Sequence, residues 1–359
     1  MRICFYFPSL KNDRNDAIFS CMYSSFFAEL EKEGMQVKFT TELTEIEGDV
    51  LVTGIGGGWE PHAARAMNIF KGPVILNIYN SYICFNRSFL KHWKSKILFA
   101  YNPDYATLNF EKYNSVGIKY YDFPFGSDEK VFFPIDVEKK YDITFIGNAD
   151  SGFGREKYVK ALIDLSKRKN YKFFLAGHGW EKYGYEKRII KHGSDTNLIY
   201  NQSKICVNIH NNRQFAGIDI EMDANNRLFD LAMAQCCQIS NGELMVSKYF
   251  TKEEVLTADD PEIWISYVDR CIENDQLRHT LANNARTKAL NEHTWNARAK
   301  EFNNLVNRHF LQYNSNQQKV GFFLKLFRIM DQYIVPMYRI KEIRMIRFIL
   351  YKTGFYEYK

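Results

Sequence analysis

The chain has 359 residues, 46% apolar and 25% charged, a composition that excludes general disorder and a length too great for one ordinary core. Two α/β domains of roughly 150 residues each fit that length. A formal charge of +6 is too small to draw the whole protein to nucleic acid, and no nucleic-acid partner is expected.

The seven cysteines are odd in number and show no C-x-x-C spacing. Most sit in apolar runs, as Cys206 does between Ile205 and Val207, which favours buried reduced thiols over a disulfide framework or a zinc site. The opening MRICFYFPS is too short for the apolar region of a signal peptide, and no apolar run approaches the length that spans a bilayer. A cytoplasmic chain is expected, at most peripheral at the inner face of the cytoplasmic membrane.

Arg2–Phe7 reads as a strand, and Ala17–Glu33 carries apolar residues at helical spacing, with Gly34 placed to end the helix. Val37–Thr40, Val50–Thr53 and Val74–Tyr79 are further strands, the last apolar but for Asn77. Such runs are expected where helices cover both faces of a parallel sheet. The segment Phe123–Pro134, bounded by prolines and holding Gly126, reads as a junction. A fresh strand–loop–helix start follows in Asp142–Ile146, Gly147–Gly154 and Arg155–Lys169. Lys172–Ala176, Ile205–Ile209 and Gln238–Ser240 are the next strands, and Arg227–Ala234 is a helix. Ile190–Tyr200 is polar and undecided, and Pro261 to Leu311 is helical almost throughout. Asn314–Gln318 is a polar linker. Beyond it, Phe322, Phe323, Leu326, Phe327 and later Ile343, Ile346 and Ile349 alternate with Lys325, Arg328, Arg344 and Arg347. This is the composition of a basic amphipathic helix that adsorbs to anionic lipid, or of a helix covering a domain seam.

Several segments carry candidate chemistry. The turn from Gly147 to Arg155 follows a strand and opens a helix, so its glycines and free N–H groups suit a phosphate, with Arg155 adding charge. Gly147, Gly152 and Gly154 do not form the G-x-G-x-x-G dinucleotide fingerprint. Gly177-His178-Gly179-Trp180 ends the next strand, the edge at which open α/β sheets bind ligands; a tight turn with a surface histidine reads equally well. Asn208 and His210 crowd the end of another strand. Asn225 or Asn226 can cap the helix that carries Arg227 and Asp230, and a carboxylate there suits a pair of ribose hydroxyls. Asp219, Glu221 and Asp223 read better as a solvated acidic loop than as a metal site. In the first half, Gly54–His62 is glycine-rich, and Asp13, Asp16, Glu60 and His62 are the nearest general-base candidates.

Taken in order over residues 123–298, these pieces resemble the donor-binding domain of GT-B glycosyltransferases, in particular the spore-maturation-type (CgeB-like) group. The pieces are Phe123-Pro124-Phe125-Gly126, Thr144–Gly147, Gly177–Trp180, Val207–His210, Asn226–Ala232, Asn284–Arg286 and His293–Arg298. The resemblance implies an α/β protein of GT-B type: two facing Rossmann-like domains with parallel sheets, plus the basic amphipathic tail. It implies an acceptor-side domain over 1–122, a donor domain over 123–313 and a tail over 314–359. The implied activity is transfer of a sugar from a nucleotide-sugar to a cell-envelope glycan or lipid-linked acceptor, with no cofactor and no metal. Gly147, Asn148, Arg155, His178, Asn208, His210, Asp223, Asn226, Arg227 and Asp230 would hold the donor. Asp13, Asp16 or His62 would supply a base. In that family the residue matching Asp230 is usually Glu, and a second Glu stands where this chain has Met222, which leaves retention or inversion of configuration open. A non-catalytic nucleotide-sugar scaffold and a nucleotide-sugar epimerase of the same architecture are the alternatives.

Overall fold

A computed structural model describes residues 1–8, 23–55, 60–78, 87–102, 110–149, 154–210, 213–215, 218–220 and 224–313. The expected tail, Asp13, Asp16, Glu221, Met222 and Asp223 lie outside the described residues. The chain divides into two compact units. One holds residues 1–19, 27–124 and 299–359, and the other residues 20–26 and 125–298.

The first unit is built on six parallel strands: β1 (Arg2–Tyr6), β2 (Gln36–Thr40), β3 (Val50–Ile55), β4 (Val74–Ile78), β5 (Ile97–Asn102) and β6 (Tyr120–Asp122). Their order is β2-β1-β3-β4-β5-β6. Every residue of β3 and β4 is buried, which is why these strands lack alternation in the sequence. Period two still sorts β1 between two cores. Cys4 and Tyr6 join Leu51, Leu76 and Ala100 against residues of α2 (Glu60–Ile69) and α3 (Arg87–Trp93). Phe5 points the other way, its ring 4.4 Å from Phe27 of α1 (Ser24–Lys32) and 6.2 Å from Phe302. Gly34, at φ +83°, ends α1 in the left-handed conformation that glycine adopts without strain. The short helix α4 (Phe110–Ser115) leads into β6.

The second unit holds a five-stranded parallel sheet of β7 (Tyr141–Ile146), β8 (Phe173–Ala176), β9 (Ser203–Asn208), β12 (Gln238–Ser240) and β13 (Leu256–Thr257). Between β9 and β12 the chain forms a separate antiparallel hairpin, β10 (Arg213–Phe215) with β11 (Ile218–Ile220). The sheet order is β13-β12-β9-β7-β8. From β7 the chain goes first to one neighbour, β8, and then returns to the other side with β9. Ligands bind at such a reversal, outside the carboxyl ends of the strands. Ile205 and Val207 face Phe145, Leu162 and Trp264 on one side, while Cys206 faces Leu228, Phe229 and Met233 on the other. All five described cysteines are buried free thiols.

The helices of this unit are α5 (Arg155–Lys169), α6 (Ser194–Asn201), α7 (Asn226–Met233), α8 (Glu243–Val246), α9 (Pro261–Glu273) and α10 (Asp275–Glu292). The last helix, α11 (Trp295–Leu311), begins in this unit and continues into the first. The undecided stretch 190–200 becomes α6 only from Ser194. The long helical run after Pro261 breaks into three, first at Asn274, which leaves helical geometry to cap α10 by accepting from the Leu277 N–H at 2.9 Å, and again at His293 and Thr294.

Candidate functional site

At the carboxyl ends of β7 and β8 the two following loops are laced together by backbone groups. The Ala149 N–H donates to the His178 carbonyl at 2.8 Å, and the His178 N–H donates to Asn148 Oδ1 at 2.9 Å. Buried Trp180 donates its indole N–H to the Gly147 carbonyl at 2.6 Å. Gly177 sits at φ +133°, so close that an added Cβ would overlap the Gly147 carbonyl oxygen. A Cβ at Gly147 would lie 2.7 Å from the Phe145 ring and 3.3 Å from Arg227 Nη2. Both glycines are therefore set by close approach, not merely by turn formation.

Arg155, the first residue of α5, is buried and reaches across the reversal between β7 and β9. Its Nε donates to the Ile209 carbonyl at 3.2 Å and its Nη1 to the Asn148 carbonyl at 3.1 Å. At the end of β9, fully buried Asn208 accepts at Oδ1 from Asn225 Nδ2 at 3.0 Å and from Arg227 Nη1 at 3.2 Å. That leaves the Asn208 amide N–H for His210 Nε2, at 3.0 Å. The His210 N–H donates in turn to Asn241 Oδ1 at 2.6 Å. Burial, reinforced by the charges of Arg227 and Arg155, holds the His210 imidazole well below the usual histidine range, so the ring is neutral. The Arg227 guanidinium lies over the Phe145 ring, 5.3 Å from its centroid.

One turn along α7, Asp230 is buried. Its Oδ1 accepts from the Ser127 hydroxyl at 2.8 Å, and its Oδ2 accepts from His192 Nε2 at 3.0 Å and Asn226 Nδ2 at 3.2 Å. Asn225 is the residue that caps α7, accepting from the Leu228 N–H at 3.2 Å. Asp259 occupies the start of α8, accepting from the Gly242 N–H at 2.6 Å and the Glu243 N–H at 3.3 Å.

Residues 155–304 match a family model described as glycosyl transferase-like. No curated protein sequence matches the chain. Among solved structures, the chain is similar to sucrose-phosphate synthase of Thermosynechococcus elongatus, at TM-score 0.60 and 12% identity over 87% of this chain and 100% of that one. It is similar to HepE of Anabaena in complex with UDP and glucose, at TM-score 0.60 and 11% identity over 86% and 99%. It is also similar to a glycosyltransferase of Rickettsia africae, at TM-score 0.57 and 15% identity over 87% and 99%. The chain shares the fold of these solved glycosyltransferase structures, and the match to the glycosyl transferase-like family is confined to residues 155–304.

Within the second unit the fold brings Gly147, Asn148, Arg155, Asn208, His210, Asn226, Arg227 and Asp230 to one sheet edge. His178 joins through its backbone only, its side chain being exposed. Asp230 differs from the open carboxylate that the sequence suggests, because the protein already supplies three donors to it. His62 is half-buried and Glu60 buried, both on α2 of the other unit. Asp13, Asp16 and Asp223 lie outside the described residues, and among the described residues no three His, Cys, Asp or Glu side chains converge as metal ligands.

Asn241, Ser127 and His192, which the sequence does not single out, hold side chains of this network. Asn241 follows the buried strand β12 as Asn208 ends β9, but Gln238 and Ser240 make that strand polar in sequence. Ser127 sits in the junction and is fixed by backbone pairing with the start of α11: its N–H donates to the His293 carbonyl at 2.8 Å, and its carbonyl accepts from the Trp295 N–H at 3.2 Å. His192, in a polar stretch with no periodicity, carried no local signal.

Proposed function

We propose that the chain transfers a sugar from a nucleoside diphosphate-sugar to a cell-envelope glycan or glycolipid acceptor, without a metal ion. The observation that carries this reading is Arg227. Its guanidinium is half-exposed at the strand reversal, faces Gly147, and is anchored only by neutral groups, the Asn208 side-chain oxygen and the Phe145 ring. Among the described residues no carboxylate pairs with it. A cation so held has its charge left for a phosphate, and glycine at 147 lets that phosphate approach the backbone. Neutral His210 beside it adds no competing charge.

The diphosphate lies near Gly147, Asn148 and Arg155, and the ribose near Asp230. Departure of the diphosphate leaves oxocarbenium character at the anomeric carbon. Arg227, with Arg155 behind it, stabilises the charge that develops on the leaving oxygens, the task a metal performs elsewhere. Asp13, Asp16 or His62 serves as the base for the acceptor hydroxyl. The basic segment 314–359 holds the protein at an anionic membrane surface where a lipid-linked acceptor resides.

The test is a thermal-shift panel of UDP, GDP, ADP, TDP, CDP and CMP, with and without magnesium. One nucleoside diphosphate is expected to raise the melting temperature by mass action, with no need for magnesium. Sugar release from the matching nucleotide-sugar should then depend on added acceptor. No shift from any nucleotide on folded protein would refute the donor site.

A further inference from the structure

We propose that the edge of the first unit's sheet where β4, β5 and β6 begin is a folded docking surface for an anionic lipid bilayer, distinct from the basic segment 314–359. It shares with the reading above the membrane-bound acceptor and needs nothing of the donor site. In a parallel sheet every strand begins at one edge, and the helices that cross back between strands end there. Lys71 precedes β4, Lys94 and Lys96 precede β5, and Lys119 precedes β6, so one edge gathers these four lysines. The described carboxylates of residues 60–122 stand at the other edge: Glu60 and Glu111 in the first turns of α2 and α4, and Asp122 at the end of β6. Charge is sorted along the strand direction.

One of the four is spent inside the fold. Lys96 Nζ donates to the Met67 and Phe70 carbonyls, both at 2.7 Å, and so closes the end of α2. Lys71, Lys94 and Lys119 are exposed, and among the described residues no carboxylate pairs with them. Elsewhere such charges are neutralised. At the β1–β3 part of the same edge Arg2 pairs with Asp49 at 2.8 Å. At the strand starts of the second unit Lys204 pairs with Asp142 at 2.7 Å, and Lys169 with Asp269 and Glu273 at 3.2 and 3.0 Å. Close to Lys71 in the chain, Ile69 ends α2 with 51% of its surface exposed. An apolar side chain beside ammonium groups suits a bilayer, where acyl chains begin just under the charged headgroups, better than a nucleic acid. The course of α11 adds a second argument. Its Phe302 ring lies 5.6 Å from Tyr101, late in β5, and its His309 ring 5.2 Å from Phe99, earlier in that strand. The helix therefore runs against the strands and ends at the lysine edge, with Leu311 86% exposed. The basic segment 314–359 begins where the unpaired lysines stand.

The experiment measures co-sedimentation of the full chain with vesicles of phosphatidylcholine holding about one-third phosphatidylglycerol, and with pure phosphatidylcholine vesicles. The proteins are wild type, Lys71→Gln/Lys94→Gln/Lys119→Gln, Ile69→Ser, and a second-unit control, Lys167→Gln/Arg168→Gln/Lys187→Gln, that removes the same charge. Each is checked for an intact thermal transition. Wild type should bind only the anionic vesicles. A lysine near such a surface contributes about fivefold, so the first triple variant should bind about a hundredfold more weakly while the control matches wild type. Ile69→Ser should weaken binding several-fold at low and high salt alike, because its contribution is apolar. Vesicles should also shield Lys71, Lys94 and Lys119 from amine acetylation and leave Lys167 and Lys187 reactive. If the first triple variant binds vesicles as wild type does, segment 314–359 docks alone; the proposal falls and the reading of that segment stands. The proposal falls too if both triple variants lose binding equally, or if the first changes affinity for a mixed-sequence RNA and not for vesicles. Folded wild-type protein that binds neither vesicle overturns both.

Discussion

Replacing Arg227 by alanine tests the proposed diphosphate site most directly. Among the described residues the guanidinium makes a single hydrogen bond, to Asn208 at 3.2 Å, and it lies over the Phe145 ring, 5.3 Å from its centroid. Loss of those contacts should cost about 1 kcal/mol of stability, because Asn208 keeps its second donor, Asn225. The effect on a bound diphosphate is larger. A unit charge pair at about 4 Å is worth about 4 kcal/mol at an effective dielectric of about 20, before any discount for partial exposure. Charge-assisted hydrogen bonds measured by removal fall at roughly 1.5–3 kcal/mol. We therefore expect Arg227→Ala to weaken binding of the selected nucleoside diphosphate by about 2–3 kcal/mol, or roughly 30- to 150-fold. Binding of the bare nucleoside should be unchanged. Arg227→Lys keeps the charge but not the planar fork and should fall between the two. Isothermal calorimetry on nucleoside and nucleoside diphosphate, at two salt concentrations, reads all of this. Equal affinity of Arg227→Ala and wild type for the diphosphate would refute the assignment, and with it the view that an arginine anchored on neutral groups marks a phosphate site.

Gly177→Ala should destabilise the protein by about 2–4 kcal/mol in urea unfolding, since the new Cβ meets the Gly147 carbonyl at a φ of +133° that favours glycine. His293 is buried, and burial, then the charge of Arg298, lowers its pKa to about 4. The unfolded chain takes up that proton near pH 6.5 while the folded one does not, so stability should fall as pH drops from about 6.5 to about 4. The loss approaches 3 kcal/mol as an order of magnitude, roughly; unfolding of His293→Phe across that window should show a shallower slope, and an unchanged slope would remove His293 as its source. If arginines take the place of a metal at the leaving group, as proposed, turnover should persist in excess chelator; strict manganese dependence would contradict this. Deleting residues 315–359 should move the protein from the membrane fraction to the soluble one, and unchanged fractionation would assign the tail a structural role.

The sequence by itself determined eight strands, β1 to β4, β7 to β9 and β12, and the helices α1, α5, α7 and the run that becomes α9 to α11, while β5, β6, the hairpin β10–β11 and β13 escaped it. Buried parallel strands such as β3 and β4 are apolar but for Thr53 and Asn77, and helices must be capped, so Gly34 and Pro261 are local signals with local causes. It also determined the edge at which a ligand is expected, since Gly147, Asn208 and Arg227 each stand at the end of a strand or the start of a helix. Tertiary structure alone decided what those side chains do. Asp230 looks like an open carboxylate in sequence because Ser127 and His192, its partners, lie 103 and 38 residues away. The same holds for Phe302, whose ring joins Phe5, Phe99 and Tyr101 in the first unit although it follows the whole of the second. Hydrogen-bond satisfaction and aromatic packing act through space, and no pattern within a window of neighbouring residues records who the distant partner is.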